Sequence, residues 1–297
     1  MAELFIELFS EEIPAKLQID AREKIKQLLE DKLKKKEINF KQSKSFSTPK
    51  RLVFTIDGIS EKLEQKQKVI KGPRTNAPSE ALEGFIKSNN LNRSDIYRKN
   101  IEKGEFYFAN TKPKIIDISK ELQLIVPETL HLYTWKKSMR WSNYDLSWGR
   151  PLRSIIAIFN NKVINFKFFH IKSSNLTIID SISEDKLKKV SDFNSYLNTL
   201  ESQNIILDQE KRKNIIVKKM NSICVSKKLK NKFDEKLIEE VVNLVERPNV
   251  IMGKFNEIYL KIPQEILIVT MQQHQKYFPL FDESDKLTNL FLLVANL

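Results

Sequence analysis

The chain has 297 residues, of which 41% are hydrophobic and 30% charged, and its net charge at pH 7 is +13. This length accommodates one large or two medium domains with a substantial core. The sequence lacks an apolar run of about 18 residues, so we predict no membrane-spanning helix and no membrane partner. A single cysteine, Cys224, excludes an internal disulfide framework and fits a cytoplasmic location. The six glycines never cluster, which excludes a phosphate-binding glycine loop.

The first half of the chain alternates between strand and helix patterns. Residues 2–9 place Leu4, Ile6 and Leu8 on one face, which predicts a strand. A helical apolar stripe follows from Leu17. The remaining predicted elements of this half are a strand at 52–56, a helix after Pro78, a strand at 106–109 and a helix at 116–125 that stops near Pro127.

The second half opens with a tryptophan-rich segment, residues 135–153, and continues with hairpins and amphipathic helices. The pair Asn160-Asn161 lies between two apolar runs and predicts a β-hairpin turn. The other predicted elements are helices at 209–225 and 234–246, a strand at 250–252, a helix that begins at Pro263, and paired strands at 277–281 and 289–294. This mixture predicts an α+β fold with short, largely antiparallel sheets. We predict two packed domains, 1–130 and 131–297.

All three tryptophans lie in the tryptophan-rich segment, interleaved with basic side chains. Cations neutralise RNA phosphates, and aromatic faces and guanidinium planes stack on unpaired bases. The segment therefore predicts RNA contact through these residues: Lys136, Lys137, Arg140, Trp141, Arg150 and Arg153. The alternative interpretation is that the tryptophans belong to the core and the cations are only solvated around them.

Residues 71–78 are a weaker candidate for the same contact. Gly72 and Pro73 favour a turn before the predicted helix. Lys71 and Arg74 in this turn could contact a phosphate. An ordinary helix-entry loop explains the same residues equally well.

Residues 272–277 bring together amides, one imidazole, one lysine and one tyrosine. Such a set is hard to explain as core. We expect three of these side chains to contact RNA or a partner subunit, or to brace the fold: His274, Gln275 and Lys276. The three histidines of the chain are far apart in sequence and lack zinc-site spacing. We therefore predict no metal site and no catalytic residue.

Short segments along nearly the whole chain can be compared with known families. They are Glu11-Glu12-Ile13-Pro14, Thr48-Pro49-Lys50-Arg51-Leu52, Lys71-Gly72-Pro73 through Ala81 with Gly84-Phe85, Lys137-Ser138-Met139-Arg140-Trp141 with Arg150-Pro151-Leu152-Arg153, Leu244-Val245-Glu246-Arg247-Pro248 and His274-Gln275-Lys276-Tyr277-Phe278. Each segment is short, but the ordered set is specific. It resembles the β subunit of the bacterial two-subunit glycyl-tRNA synthetase.

This resemblance implies a cytoplasmic heterotetramer of two α and two β subunits that joins glycine to tRNA(Gly). In the family the α subunit carries the catalytic core and uses ATP and Mg²⁺, whereas the β subunit mainly holds the tRNA. The resemblance therefore implies a non-catalytic subunit that binds no cofactor itself. It also implies that the second domain resembles the editing-type domain of the phenylalanyl-tRNA synthetase β subunit.

The chain departs from the family pattern in two ways. Family members continue into a helical HD-type domain and an anticodon-binding domain, which these 297 residues lack, so we expect the N-terminal portion of a β subunit. The family also has a Gly/Arg/Phe-containing stretch where Ser173 to Lys189 diverges, and we assign no RNA contact there.

Two alternative functions stay open beside tRNA binding and scaffolding. One is a purely structural module that holds the α subunit without RNA contact, with the tryptophan-rich segment buried or scattered over opposite faces. The other is a hydrolytic editing domain. It would need a pocket that brings His274 to an acid or a hydroxyl.

Overall fold

The computed structural model describes residues 2–65, 69–102, 104–110, 114–179 and 186–297. Its helices and small, mostly antiparallel sheets confirm the α+β prediction. None of the helices in these ranges combines the length and apolar character that a bilayer span requires.

The elements are numbered along the chain. The strands are β1 (Ala2–Ser10), β2 (Gln42–Thr48), β3 (Arg51–Ile59), β4 (Lys62–Gln65), β5 (Val69–Arg74), β6 (Ile96–Ile101), β7 (Gly104–Asn110), β8 (Lys114–Asp117), β9 (Leu152–Phe159), β10 (Lys162–Val163), β11 (Lys167–Phe168), β12 (Ile171–Ser174), β13 (Leu176–Ile179), β14 (Lys186–Lys189), β15 (Lys230–Asn231), β16 (Pro248–Lys254), β17 (Phe278–Phe281) and β18 (Leu287–Asn296). The α-helices are α1 (Ala15–Lys35), α2 (Ser79–Ser88), α3 (Ile118–Leu132), α4 (Phe193–Glu201), α5 (Gln209–Lys227), α6 (Glu235–Val242) and α7 (Gln264–Val269). Short 3₁₀ turns span Arg93–Asp95 and Glu257–Lys261, and a π turn spans Thr270–His274.

The largest sheet has β1 in its interior, in the order β11-β12-β9-β1-β3-β2. β1 pairs antiparallel with β3 and β9, whereas β12 pairs parallel with β9. Every residue of β1 from Leu4 to Ser10 is buried. α1 packs against β2 and β3, and the Tyr196 ring of α4 lies 4.8 Å from the Phe5 ring of β1. Helices therefore cover both faces of the predicted first strand.

The C-terminal sheet has the order β15-β17-β18-β16. The predicted pairing of the strands near 277–281 and 289–294 is confirmed by the β17–β18 hairpin. α5 and α6 share a core with this sheet, and Cys224 of α5 lies in that core. The Asp208 carboxylate caps α5 by accepting hydrogen bonds from the backbone N–H groups of Glu210 and Lys211.

The Asn160-Asn161 turn is confirmed. Phe159 of β9 pairs directly with Lys162 of β10. The two asparagines between them have φ angles of 49° and 61°. Positive φ at both central positions matches the right-handed twist of the strands, and asparagine tolerates it better than most residues.

α3 continues through Pro127, so the predicted helix end at this proline is wrong. A proline inside a helix costs about 3 kcal/mol, because it removes a backbone hydrogen bond. Four apolar side chains around it are at most 2% exposed: Leu122, Ile125, Val126 and Leu130. Each buried aliphatic side chain contributes roughly 1.5–3 kcal/mol, so their burial outweighs the cost of the proline.

Contacts divide the chain into a larger unit, residues 1–60 and 122–297, and a smaller unit, residues 61–121. The larger unit is discontinuous because β9 returns to the sheet that begins with β1. The smaller unit contains the sheet β5-β7-β6, the pair β4–β8 and α2. This division does not coincide with the domain boundary expected at residue 130, which stays a prediction.

Candidate nucleic-acid interface

Two of the three tryptophans in the tryptophan-rich segment are core residues. Trp135 is 7% exposed and Trp148 is 1% exposed. Their ring centroids lie 5.2 Å apart, and Trp148 also packs edge-on against Phe168 at 5.6 Å. The backbone N–H of Met139 donates to the carbonyl of Trp148 at 2.8 Å and closes the loop between them. The alternative interpretation of these two tryptophans as core is therefore confirmed.

The third tryptophan belongs to an aromatic ledge, which consists of Trp141, Tyr144 and His170. The Tyr144 and His170 rings stack with centroids 3.5 Å apart and an interplanar angle of 5°. Trp141 is half-buried, and its centroid lies 5.9 Å from that of His170. Burial, together with the charge of Lys167, lowers the pKa of His170. Tyr144 is 42% exposed, so the ledge offers an open ring to solvent.

Three exposed cations precede this ledge: Lys136, Lys137 and Arg140. The Nζ of Lys136 lies 3.0 Å from Oδ1 of Asp20 on α1. Burial acts to raise the pKa of Asp20, but hydrogen bonds from Lys136 and Lys24 bring it below its ordinary value. Within the described ranges, Lys137 and Arg140 form no ion pair. A phosphate at Lys136 would compete with Asp20, whereas Lys137 and Arg140 have no such competitor in this part of the structure.

Arg150 and Arg153 already have protein partners. Arg150 is half-buried, and its Nη1 donates to the carbonyl of Gly149 at 2.9 Å. Nη1 of Arg153 lies 3.5 Å from Oε1 of Glu11, and its guanidinium carbon is 5.7 Å from the ring centroid of Phe9. A phosphate at either arginine would compete with these contacts.

Lys71 and Arg74 lie in the smaller unit, at the end of β5 and ahead of the turn that leads to α2. Both side chains are exposed and approach one ring, that of Phe106. Nζ of Lys71 is 3.6 Å from the ring centroid, and the guanidinium carbon of Arg74 is 5.4 Å from it. Sequence reasoning missed Tyr97 and Lys99 on the adjacent strand β6. The two residues are two positions apart, which is the spacing of side chains on one face of a strand, and this pattern could have predicted them.

The segment 272–277 contains both residues that pack against the fold and residues that are exposed. Lys276 is half-buried, and its Nζ lies 3.0 Å from Oε1 of Glu240. The adjoining Tyr277 ring stacks on Phe291 at 4.5 Å. Of the three predicted contact residues, Lys276 therefore braces the fold. His274 and Gln275 are exposed at the end of the π turn, and their contacts stay predictions.

The family profile "Glycyl-tRNA synthetase beta subunit" matches residues 4–297. The chain belongs to this family. It is 37% identical over 296 residues to the glycine–tRNA ligase beta subunit of Rickettsia peacockii (strain Rustic), and 36% identical to that of Rickettsia typhi (strain ATCC VR-144 / Wilmington). Each alignment covers all of this chain and 44% of the relative. The resemblance seen in the sequence is confirmed, and the chain spans less than half the length of these relatives.

Two of the segments that carry the family resemblance meet in the protein interior. Arg51, from the segment 48–52, donates through Nη1 to Oε2 of Glu246, from the segment 244–248, at 2.7 Å. Its Nη2 donates to the carbonyl of Ile178 at 2.6 Å. Arg51 is fully buried and Glu246 is 2% exposed. This part of the family signature therefore supports the fold.

Glu7 joins the same buried network from β1. Its Oε1 accepts hydrogen bonds from the hydroxyls of Tyr196 at 2.6 Å and Thr177 at 3.0 Å. Nε of Arg51 lies 3.2 Å from the same oxygen. Burial raises the pKa of Glu7, and the charge of Arg51 opposes this only in part. Sequence reasoning missed the network, although an acid in the middle of an apolar strand was a signal for it.

The stretch 173–189, which departs from the family pattern, is structural where it is described. Ser173 Oγ donates to the carbonyl of Ile164 at 2.7 Å, and β13 pairs with β14. Residues 180–185 of this stretch lie outside the described ranges.

Proposed function

We propose that this chain is the tRNA-binding and scaffolding part of a glycine–tRNA ligase β subunit, in a cytoplasmic α2β2 enzyme. Membership of the family supports a role in glycyl-tRNA synthesis. In this proposal the α subunit attaches glycine to tRNA(Gly) with ATP and Mg²⁺, and this chain forms no bond itself.

The observation that carries tRNA binding is the pair of exposed, unpaired cations, Lys137 and Arg140, beside the aromatic ledge. A cation that neutralises a phosphate releases condensed counterions, which drives binding. An exposed ring such as that of Tyr144 can stack on an unpaired base. The proposed contact residues are Lys136, Lys137, Arg140, Trp141, Arg150 and Arg153, with weaker contributions from Lys71 and Arg74.

The test is binding of tRNA(Gly) to this chain across a salt series. A variant with Lys136, Lys137 and Arg140 changed to alanine is compared with the unmutated chain. Each lost phosphate contact should flatten the slope of log K against log salt by about one unit, so we expect a reduction of about two to three.

A matched control changes Lys218, Lys219 and Lys227 to alanine. These lysines are exposed on α5, and their removal lowers the net charge by the same amount. The proposal requires a clearly smaller change of slope in the control. Equal changes would mean that tRNA senses only the net charge, and the tryptophan-rich segment would not be the interface.

A second candidate function is a scaffold that holds the α subunit without RNA contact. The buried Arg51–Glu246 pair favours it, because family segments there serve the fold. Absence of tRNA binding at every salt concentration, together with capture of the α subunit by this chain, would select this candidate. An editing activity involving His274 stays a prediction.

A further inference from the structure

One face of the sheet β5-β7-β6 in the smaller unit brings aromatic and basic side chains together. In an antiparallel pair, directly opposed residues lie on the same face. Phe106 pairs with Lys99 and Arg74, and Phe108 pairs with Tyr97 and Lys71. We call these side chains the open sheet face: Lys71, Arg74, Tyr97, Lys99, Phe106 and Phe108.

A β-bulge places both cations of β5 on this face. Lys71 and Arg74 are three positions apart, and in a regular strand they would point to opposite faces. The pairing shifts register between them, so they oppose Phe108 and Phe106, which are two positions apart. Bulges commonly re-aim a side chain in this way beside functional sites.

The two faces of the sheet differ in charge. On the opposite face, Ile70 and Ile96 pair with the fully buried Ala109. That face also has the pairs Arg98–Tyr107 and Asn100–Glu105, so it has one cation and one carboxylate. On the open sheet face Phe108 is 9% exposed, whereas Tyr97 is 39% exposed and the three cations are exposed. Among the positions that the described pairing assigns to this face, three are cations and none is Asp or Glu.

We propose that the open sheet face binds unpaired RNA nucleotides. Phe106 and Tyr97 stack on bases, while Lys71, Arg74 and Lys99 neutralise the phosphates that connect them. This proposal rests on the proposed function in one respect, which is that the RNA bound in the cell is a single-stranded part of tRNA. It adds a second contact surface and a ligand class, unpaired bases, which duplex RNA cannot supply.

The ring contacts of the cations are compatible with this occupant. Nζ of Lys71 lies over Phe106 and Nζ of Lys99 is 5.9 Å from the centroid of Phe108, so the cations are held beside the rings. A cation–π contact at an exposed site is weaker than stacking of a base on an aromatic ring. A base can therefore displace a lysine from the ring, and the freed ammonium can pair with the adjacent phosphate. An acidic peptide would use the cations but gain nothing from the stacking faces.

The experiment measures anisotropy of a fluorescein-labelled oligoribonucleotide of ten residues, both single-stranded and annealed to its complement, with the full chain. The variant Phe106→Leu/Tyr97→Leu keeps apolar volume but removes both rings. We expect its affinity for the single strand to fall by at least about tenfold with an unchanged salt slope, because stacking is not a counterion effect. Binding of the duplex should not change.

Three controls complete the design. Tyr107→Leu removes a ring from the opposite face of β7 and should leave binding unchanged. Phe106→Tyr keeps the ring and should bind as the unmutated chain does. Lys71→Ala/Lys99→Ala should flatten the single-strand salt slope by about 1.4 units, since each phosphate contact on a single strand contributes about 0.7.

Equal losses for single strand and duplex would overturn the proposal, as would an unchanged affinity in the double leucine variant or failure of the unmutated chain to bind the single strand. If the double variant does not fold, Tyr97→Leu alone decides, because Tyr97 is exposed. The proposed function fails separately. In that case tRNA(Gly) binding is insensitive to the Lys136, Lys137 and Arg140 changes, whatever the oligonucleotide shows.

Discussion

The tryptophan-rich segment of the larger unit and the open sheet face of the smaller unit both interleave aromatic and basic residues, yet they place them differently. In the segment, Trp135 and Trp148 pack against each other in the core. In the sheet, Tyr97 is exposed and Lys71 lies over the ring of Phe106. A strand turns alternate residues to the same face, whereas a loop orients each side chain separately. Interleaving in sequence therefore does not by itself predict a stacking surface, because strand pairing, including the bulge in β5, decides which side chains share a face.

The largest effect on stability is expected at the buried tryptophans. Trp148→Ala should lower the free energy of unfolding by about 3–5 kcal/mol, because it removes a fully buried ring and leaves a cavity. Urea denaturation measures the change. The matched variant Tyr97→Ala should cost less than about 1 kcal/mol, since an exposed ring packs little. A similar loss in both variants would show that the sheet face is core, and the contrast would disappear.

The placement of charge sharpens the comparison further, because Glu7 is buried while the cations of the sheet are exposed. Burial raises the pKa of Glu7 above its ordinary value of 4.5. A carboxyl with a raised folded-state pKa contributes its full stability below the unfolded pKa. This contribution is lost as pH rises through the folded value, at up to about 1.4 kcal/mol per pH unit.

Glu7→Gln should therefore show a smaller loss of stability above pH 4.5 than the unmutated chain. Urea denaturation at several pH values from 4.5 to 8 measures the difference. Glu11→Gln is the matched control, because it makes the same substitution at a side chain that is 50% exposed. Parallel profiles for the unmutated chain and Glu7→Gln would mean that Glu7 does not take up a proton preferentially in the folded state.

The exposed cations should have the smallest effect on stability. Lys137→Ala and Arg140→Ala should each change the free energy of unfolding by less than about 0.5 kcal/mol, as surface substitutions usually do. Lys136→Ala can cost up to about 1 kcal/mol, since it also loses the ion pair with Asp20. Urea denaturation of the three variants tests this order. A large loss at Lys137 or Arg140 would assign these cations to the fold rather than to RNA.

Local patterns predicted much of the fold. The Asn160-Asn161 turn, the C-terminal hairpin and the helices α5 and α6 lie near their predicted positions, although α6 ends at Val242, earlier than expected. These features depend on turn chemistry and periodicity within a few residues. The passage of α3 through Pro127 was not predicted, because the apolar contacts that offset the proline come from tertiary packing.

The candidate site was predicted less completely. Sequence identified the cations at 136, 137 and 140, which are exposed, but it could not separate Trp141 from the two core tryptophans. It assigned Lys71 and Arg74 to a turn and missed Tyr97 and Lys99 beside them. The bulge in β5 and the pairing of β6 with β7 bring these four residues together. Neither feature can be predicted from one local stretch of sequence.

By itself, the sequence determined the family, the α+β class and the type of most elements, because ordered motifs and local periodicity are properties of neighbouring residues. Only the tertiary structure decided which charged and aromatic side chains are buried. Arg51 reads as one of two basic residues after a proline, yet its partner Glu246 lies 195 positions away. Burial depends on elements that fold together from distant parts of the chain. Contacts between residues so far apart cannot be predicted from a local sequence pattern. The same residue type, arginine, is therefore buried at Arg51 and exposed at Arg140.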